Sequence, residues 1–169
     1  EIADAKMRMF NADGSEGKMC GNAIRCVGKY LWDSRAVRKT VITVETLSGV
    51  KTLTLRTDGD AASSVSVDMG YAEFDPEKIP VLSSEKMIGS EIAVGGMRVR
   101  VTALSVGNPH AVVFCDDIAS LDLEKIGPAF EHHPLFPERV NTEFVRIVSR
   151  TEIEMRVWER GSGETWACG

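Results

Sequence analysis

Gly14-Ser15-Glu16-Gly17-Lys18-Met19-Cys20-Gly21 and, far along the chain, Gly161-Ser162-Gly163-Glu164-Thr165-Trp166-Ala167-Cys168-Gly169 are one pattern written twice. Each reads Gly-Ser, then Glu, then three residues, then Cys-Gly. The second copy carries one extra glycine between Ser and Glu. Two of only four cysteines occupy the same place in it. Internal self-similarity of this kind implies two related halves. After the first copy, Ile24, Val27 and Leu31 recur at helical spacing, with Ala23 and Tyr30 near the same face. That periodicity predicts a helix from about Asn22 to Trp32, so Cys20-Gly21 stands at a helix start. If the halves correspond, Cys168 should open a helix as well. Gly169 follows it directly, and on this reading the chain is cut short.

Working outward, Met7 to Phe10 is a short alternating run that suits a strand, and Asn11 to Lys18 is a polar loop. Val41 to Thr46 is rich in β-branched residues, Leu53 and Leu55 alternate with threonines, and Val65, Val67 and Met69 alternate with polar residues. Thr57-Asp58-Gly59-Asp60 between two such runs reads as a hairpin turn. Pro76 and Pro80 mark a loop and a domain junction, placed just after Gly70. Strand signals resume at Met97 to Val101, Ala111 to Phe114, Phe144 to Val148 and Ile153 to Val157, with one short helix within Leu121 to Phe130. Strands dominate and helices are few, which gives an α+β class. The expected domains are 1–70, with the first cysteine, and 71–169, ending at the second.

Hydrophobic content of 43% and charged content of 27% are those of a globular protein. No apolar run approaches the roughly 18 residues of a membrane-spanning helix. The start, Glu1-Ile2-Ala3-Asp4, has no signal-peptide pattern. A net charge of −5 offers no basic footprint for nucleic acid or anionic lipid, and the basic cluster Arg35 to Lys39 reads as solvated surface. Together these favour a cytoplasmic protein with free thiols. No C-x-x-C pair exists, so the cysteine spacing does not suit zinc. Cys26 and Cys115 read as packing residues, as do Trp158 and Trp166. His132-His133 reads as surface loop.

A thiol at a helix N-terminus sits at the positive end of the helix dipole, which favours its thiolate form. Loop amides near that end can hold a carboxylate. Two such half-sites facing each other would place an α-carbon between two thiols. One thiolate could take its proton while the other thiol supplied one to the opposite face, inverting the stereocentre without a cofactor.

The residues around these cysteines resemble the diaminopimelate epimerase family. Asn11 to Glu16 with Met19-Cys20-Gly21-Asn22 resembles its first cysteine motif. Gly107-Asn108-Pro109-His110 resembles its central segment, and Val140-Asn141-Thr142-Glu143-Phe144 its Val-Asn-x-x-Phe segment. Glu159 to Thr165 with Ala167-Cys168-Gly169 resembles its second cysteine motif. The motifs occur in the family's order across essentially the whole chain. The resemblance implies two pseudo-symmetric domains, each a mixed sheet or barrel wrapped round a central helix. It implies interconversion of LL- and meso-2,6-diaminopimelate, for lysine and peptidoglycan precursors, with neither pyridoxal phosphate nor metal, in a possible homodimer. Cys20 and Cys168 would be the acid–base pair, tuned by His110 and Glu159. Asn11, Gly21, Asn22, Asn108, Asn141, Glu159, Arg160 and Gly169 would contact substrate. Amide groups, a carboxylate and an arginine are what a zwitterionic amino acid requires.

There are departures. Ala23-Ile24 stands where the family commonly has Gly-Ala. The family's N-terminal segment with another substrate-binding Asn, and the Thr-Gly and second central helix after Cys-Gly, are not in this chain, so the chain alone is expected to be inactive. A proline or hydroxyproline racemase-type enzyme is the nearest alternative, although its first cysteine is followed by Gly-His and here Gly21-Asn22 follows. A redox-sensing pair of thiols, or an inactive fragment, are the other readings.

Overall fold

The computed structural model describes residues 2–168, which form two compact units: the chain up to Gly70, and Tyr71–Cys168. The fold is α+β, mixed sheets with two helices among the described residues, the class the strand-rich pattern implied.

The first unit is a four-stranded sheet with one helix. β1 (Ala5–Lys6) runs parallel to β4 (Val41–Thr46), and β4, β5 (Gly49–Asp58) and β6 (Ala61–Val67) form an antiparallel meander. Gly59 and Asp60 make the tight turn between β5 and β6, with Gly59 at φ 57°, as the Asp-Gly signal predicted. A separate two-stranded ribbon, β2 (Met9–Phe10) with β3 (Glu16–Gly17), leads into α1 (Gly21–Asp33). Ile24 is fully buried in the unit's core with Met19, Ile42, Val44 and Leu53, while Val27 and Leu31 pack beside it. Gly28 is buried too. A Cβ there would come within 2.7 Å of Leu53 Cδ2, so glycine lets the helix approach β5 and β6 closely. That closeness offsets the roughly 1 kcal/mol of helix propensity that glycine forfeits against alanine.

The second unit is a six-stranded sheet in the order β12-β11-β10-β9-β8-β7. Its strands are β7 (Ser90–Val94), β8 (Met97–Ser105), β9 (Pro109–Phe114), β10 (Asn141–Ile147), β11 (Ile153–Glu159) and β12 (Gly163–Thr165). β9 and β10 are parallel, joined through α2 (Leu123–Glu131), and every other neighbour pair is antiparallel.

Side chains alternate between the faces of a strand, so register assigns each residue to a side. Ala111, Val113, Phe144 and Trp158 share one face and form a core with Leu123 and Phe130 of α2. The other face carries His110, Val112 and Phe114 of β9, Asn141, Glu143, Val145 and Ile147 of β10, and Ile153, Met155, Val157 and Glu159 of β11. At one end of that face Phe114, Ile147, Ile153 and Met155 are exposed. At the other end lie the polar residues singled out from sequence.

Two expected packing residues do not pack. Cys26 is exposed: it lies two positions, about 200° of helix turn, from the buried Ile24, and so points away from the sheet. Trp166 is fully exposed, because it lies beyond the last paired residue of β12. Tyr30, placed near the buried face of α1, is exposed as well. Trp158 and Cys115 do pack against the core of the second unit.

Candidate active site

Each cysteine of the repeat follows a short antiparallel ribbon. Phe10 pairs with Glu16 across β2–β3, and Trp158 pairs with Glu164 across β11–β12. In both ribbons the motif glutamate is gripped by an arginine eight positions upstream. Arg8 reaches Glu16 through Nε (2.8 Å) and Nη2 (3.0 Å), and Arg156 reaches Glu164 through Nε (2.8 Å) and Nη2 (3.0 Å). Such forked pairs fix geometry as well as charge. In both, the hydrogen bonds from the arginine are the main cause holding the carboxyl below its usual range. Each arginine lies outside the Gly-Ser…Cys-Gly motif, twelve positions before its cysteine. The repeat is therefore structural, down to one ion pair per half.

Cys20 is the N-cap of α1. Its backbone is extended (φ −142°, ψ 112°), and Sγ accepts from the Ala23 amide at 3.5 Å. Gly21 opens the helix and is buried, and Asn22 accepts from the Arg25 guanidinium through Oδ1. Asn11 sits in the turn before β3: its Nδ2 donates to Ser15 Oγ at 3.0 Å, and its backbone pairs with Ser15 and Gly14.

In the second unit His110, Asn141 and Glu159 fall on the same sheet face. Asn141 lies opposite His110 in the β9–β10 register, and Glu159 lies one step beyond the Thr142–Trp158 pair. His110 Nδ1 and Glu143 Oε1 are 2.6 Å apart, and both side chains are largely buried. One ring nitrogen of His110, one carboxylate oxygen of Glu143 and Cys168 Sγ lie within 4.8 Å of one another. Two ligands on a tetrahedral zinc would stand about 3.4 Å apart, given metal–ligand bonds near 2.1 Å. The shorter His110–Glu143 separation is that of a charge-assisted hydrogen bond, which a metal would have to break.

The loops around this cluster are tied together. Asn141 Nδ2 donates to the Pro109 carbonyl (3.3 Å), and Asn141 Oδ1 accepts from the Arg160 amide (2.8 Å), joining the Gly107-Asn108-Pro109 loop to the turn after β11. Arg160 Nη1 donates to the Glu138 carbonyl, and Glu159 accepts from the Thr165 hydroxyl. Gly169 lies outside the described residues. Of the two other thiols, Cys26 is exposed on α1, and Cys115 is a poor candidate nucleophile: burial, then the charges of Asp116 and Asp117, push it up.

Glu131 of α2 is a further residue that the sequence did not single out. It is 5% exposed and accepts from Trp158 Nε1 (2.7 Å), the Gly161 amide (2.9 Å) and Arg139 Nη1 (3.2 Å). It thus anchors the Arg160-Gly161 turn from the opposite side of the sheet. Glu131→Ala is expected to destabilise the second unit by about 2–4 kcal/mol, because it leaves the indole N–H of Trp158 and the Gly161 amide without their acceptor. Urea unfolding followed by circular dichroism measures this; a loss below about 1 kcal/mol would show that the donors find water instead.

The diaminopimelate epimerase family model matches residues 2–74 and 102–169, which covers both cysteine motifs and the His110 and Asn141 segments. The chain belongs to the diaminopimelate epimerase family. It is 55% identical over its full length to a protein named diaminopimelate epimerase from Acetivibrio thermocellus, and 53% identical over 99% of its length to one so named from Desulfovibrio desulfuricans. It spans 61% of the length of each of these curated relatives. Among solved structures, a probable proline racemase from Agrobacterium radiobacter K84 matches 96% of this chain, and 52% of its own, with a TM-score of 0.71 at 18% identity. A hydroxyproline epimerase from Agrobacterium vitis matches 94% of this chain, and 50% of its own, with a TM-score of 0.65 at 15% identity. At such identities the likeness is one of fold.

Proposed function

We propose that the protein carrying this chain interconverts LL- and meso-2,6-diaminopimelate by two-thiol acid–base catalysis, supplying lysine and peptidoglycan precursors in the cytoplasm, as a homodimer, without pyridoxal phosphate or metal. The observation that carries this reading is the pair of equivalent cysteine ribbons in a chain of this family. One ribbon ends on Cys20 at a helix N-terminus, and the other on Cys168 beside His110. In the thiolate form one sulfur removes the α-proton. The other sulfur, protonated, delivers a proton to the opposite face. The carbon–hydrogen bond broken on one side is replaced on the other, and the two thiols exchange protonation states in each turnover. Backbone amides at the start of α1 can bind the α-carboxylate, where negative charge develops. Asn11, Asn22, Asn108, Asn141, Glu159 and Arg160 serve the two amino-acid heads of the substrate. Nothing in this chemistry draws on a metal or an electron sink, since the acid and the base are both side chains.

The test is deuterium exchange. The full-length protein in deuterated water should incorporate deuterium at Cα of LL-diaminopimelate while meso product accumulates, and should leave L-proline unlabelled. Mass spectrometry of both amino acids reads it. Label in proline alone would overturn the substrate assignment.

A further inference from the structure

We propose that Glu143 is a positioning residue for the Cys168 thiol, acting through His110. The proposal deepens the reading of Cys168 as an acid–base group and rests on it. Glu143 stands in the middle of β10, two residues beyond Asn141 on the same face, and is only 6% exposed. A carboxylate so placed is costly unless it is paired and hydrogen-bonded. Its Oε1 is satisfied by His110 Nδ1 at 2.6 Å. Its Oε2 is buried and has no hydrogen-bond partner among the described residues. The carboxylate therefore has one strong partner, the imidazole, and the imidazole is within 4.8 Å of Cys168 Sγ.

The consequences follow from tautomerism. Ionised glutamate only accepts, so His110 must donate from Nδ1, and the neutral ring then carries its lone pair at Nε2. The ring is thereby set as a proton acceptor. In the proposed transfer from Cys168, the S–H bond breaks, an Nε2–H bond forms, and the sulfur keeps the electron pair. The imidazolium is then stabilised by Glu143, which stays a carboxylate throughout. The return transfer restores thiol and neutral imidazole. A base oriented by a third group is a recurrent way to activate a nucleophile or a proton carrier. Besides Glu143 and Cys168, the groups on the His110 side of the sheet are Asn141 on β10, Glu159 on β11 and Leu104 on β8; of these three Glu159 alone is ionisable, and it accepts from the Thr165 hydroxyl.

The first unit has a different arrangement. Cys20 is held by its helix cap, with the Ala23 amide on its sulfur. The two thiols are thus prepared by different means, one by a helix and one by a histidine–carboxylate pair.

The experiment uses the full-length protein labelled with nitrogen-15 at histidine. Long-range proton–nitrogen spectra report which ring nitrogen of His110 carries hydrogen. In parallel, iodoacetamide alkylation at neutral pH, followed by peptide mass mapping, gives separate rates for Cys168 and Cys20. The wild type should show Nδ1–H at His110. Glu143→Leu should shift the ring toward Nε2–H and slow Cys168 alkylation by at least about tenfold, with Cys20 within about twofold of wild type. Glu143→Asp should restore part of the Cys168 rate. Should Glu143→Leu fail to fold, Glu143→Gln carries the test: it keeps an acceptor but not the charge, and should slow Cys168 without unfolding. An unchanged tautomer and an unchanged Cys168 rate in a folded variant would overturn the proposal. Neither readout needs substrate. If diaminopimelate proved inert while these shifts appeared, the substrate assignment would fail and the role of Glu143 would stand.

Discussion

Gly127→Ala is expected to destabilise the second unit by about 2–3 kcal/mol or more, although alanine is the better helix former. A Cβ at Gly127 would lie 2.2 Å from Trp158 Cδ2 and 2.5 Å from Cε3 and Cγ, far inside contact distance. The nearest atoms belong to a rigid ring, not to the end of a flexible chain. That ring is also held in place, since its Nε1 donates to Glu131, itself buried on the same helix. The helix cannot easily retreat either, because Leu123 and Phe130 are buried in the core on the same side of the sheet. Propensity favours alanine by about 1 kcal/mol; overpacking a filled core costs about 1–3 kcal/mol, and more where backbone must shift. Loss of the Glu131–Trp158 bond adds to it. Urea unfolding of Gly127→Ala beside Lys125→Ala, an exposed position on the same helix, checks this. Lys125→Ala should lie within about 0.5 kcal/mol of wild type. Equal stability of Gly127→Ala and wild type would mean that Trp158 can leave its seat, and that the anchoring of the Arg160-Gly161 turn is loose.

Much of the fold was legible because it rests on local pattern. Ile24, Val27 and Leu31 gave α1 to within a residue at each end, and Asp58-Gly59 gave the β5–β6 turn. The cysteine motifs were legible because glycine, serine and cysteine recur there in order. What escaped depends on partners distant in sequence. Glu143 stands inside the Val-Asn-x-x-Phe segment, but its histidine is 33 positions away; Glu131 and Trp158 are 27 apart. A glutamate in a sequence is most often solvated, and only the register of β9 against β10 shows that this one faces a histidine. A signal did exist: in Asn141-Thr142-Glu143-Phe144-Val145 a charge alternates with residues of a central strand, which is unusual for a strand flanked on both sides. The misplacement of Cys26 had a simpler cause, since its angle from Ile24 on the helix already pointed outward. Trp166 misled because aromatic residues usually pack, and where β12 stops pairing is not written in composition.

Two substitutions at Cys20 should separate its chemistry from its place in the fold. As N-cap of α1, Cys20 supplies the sulfur that accepts from the Ala23 amide at 3.5 Å, a long bond to a weak acceptor. Serine is among the best N-cap residues, and alanine lacks a cap acceptor altogether, a difference of about 1 kcal/mol. Cys20→Ser should therefore be as stable as wild type or more so, and Cys20→Ala less stable by up to about 1 kcal/mol. Activity should not follow that order. A hydroxyl at this position is too weak an acid to exist as the oxyanion near neutral pH, so both variants lose the group that carries the proton. Loss of a positioned acid–base group lowers the rate by about 10²–10⁴-fold, and inversion needs both faces served. Epimerisation of LL-diaminopimelate by the full-length protein should therefore fall by at least 10²-fold in Cys20→Ser and in Cys20→Ala alike, while their unfolding midpoints diverge. If Cys20→Ser kept more than about a tenth of the activity, Cys20 would be a helix cap and no more, and the two-thiol reading of the repeat would fail. If activity tracked stability across the two variants, the loss would belong to the helix start and not to the sulfur. The experiment thus asks of Cys20 what the repeat alone leaves open: whether the cysteine was retained for the fold that it caps or for the proton that it moves.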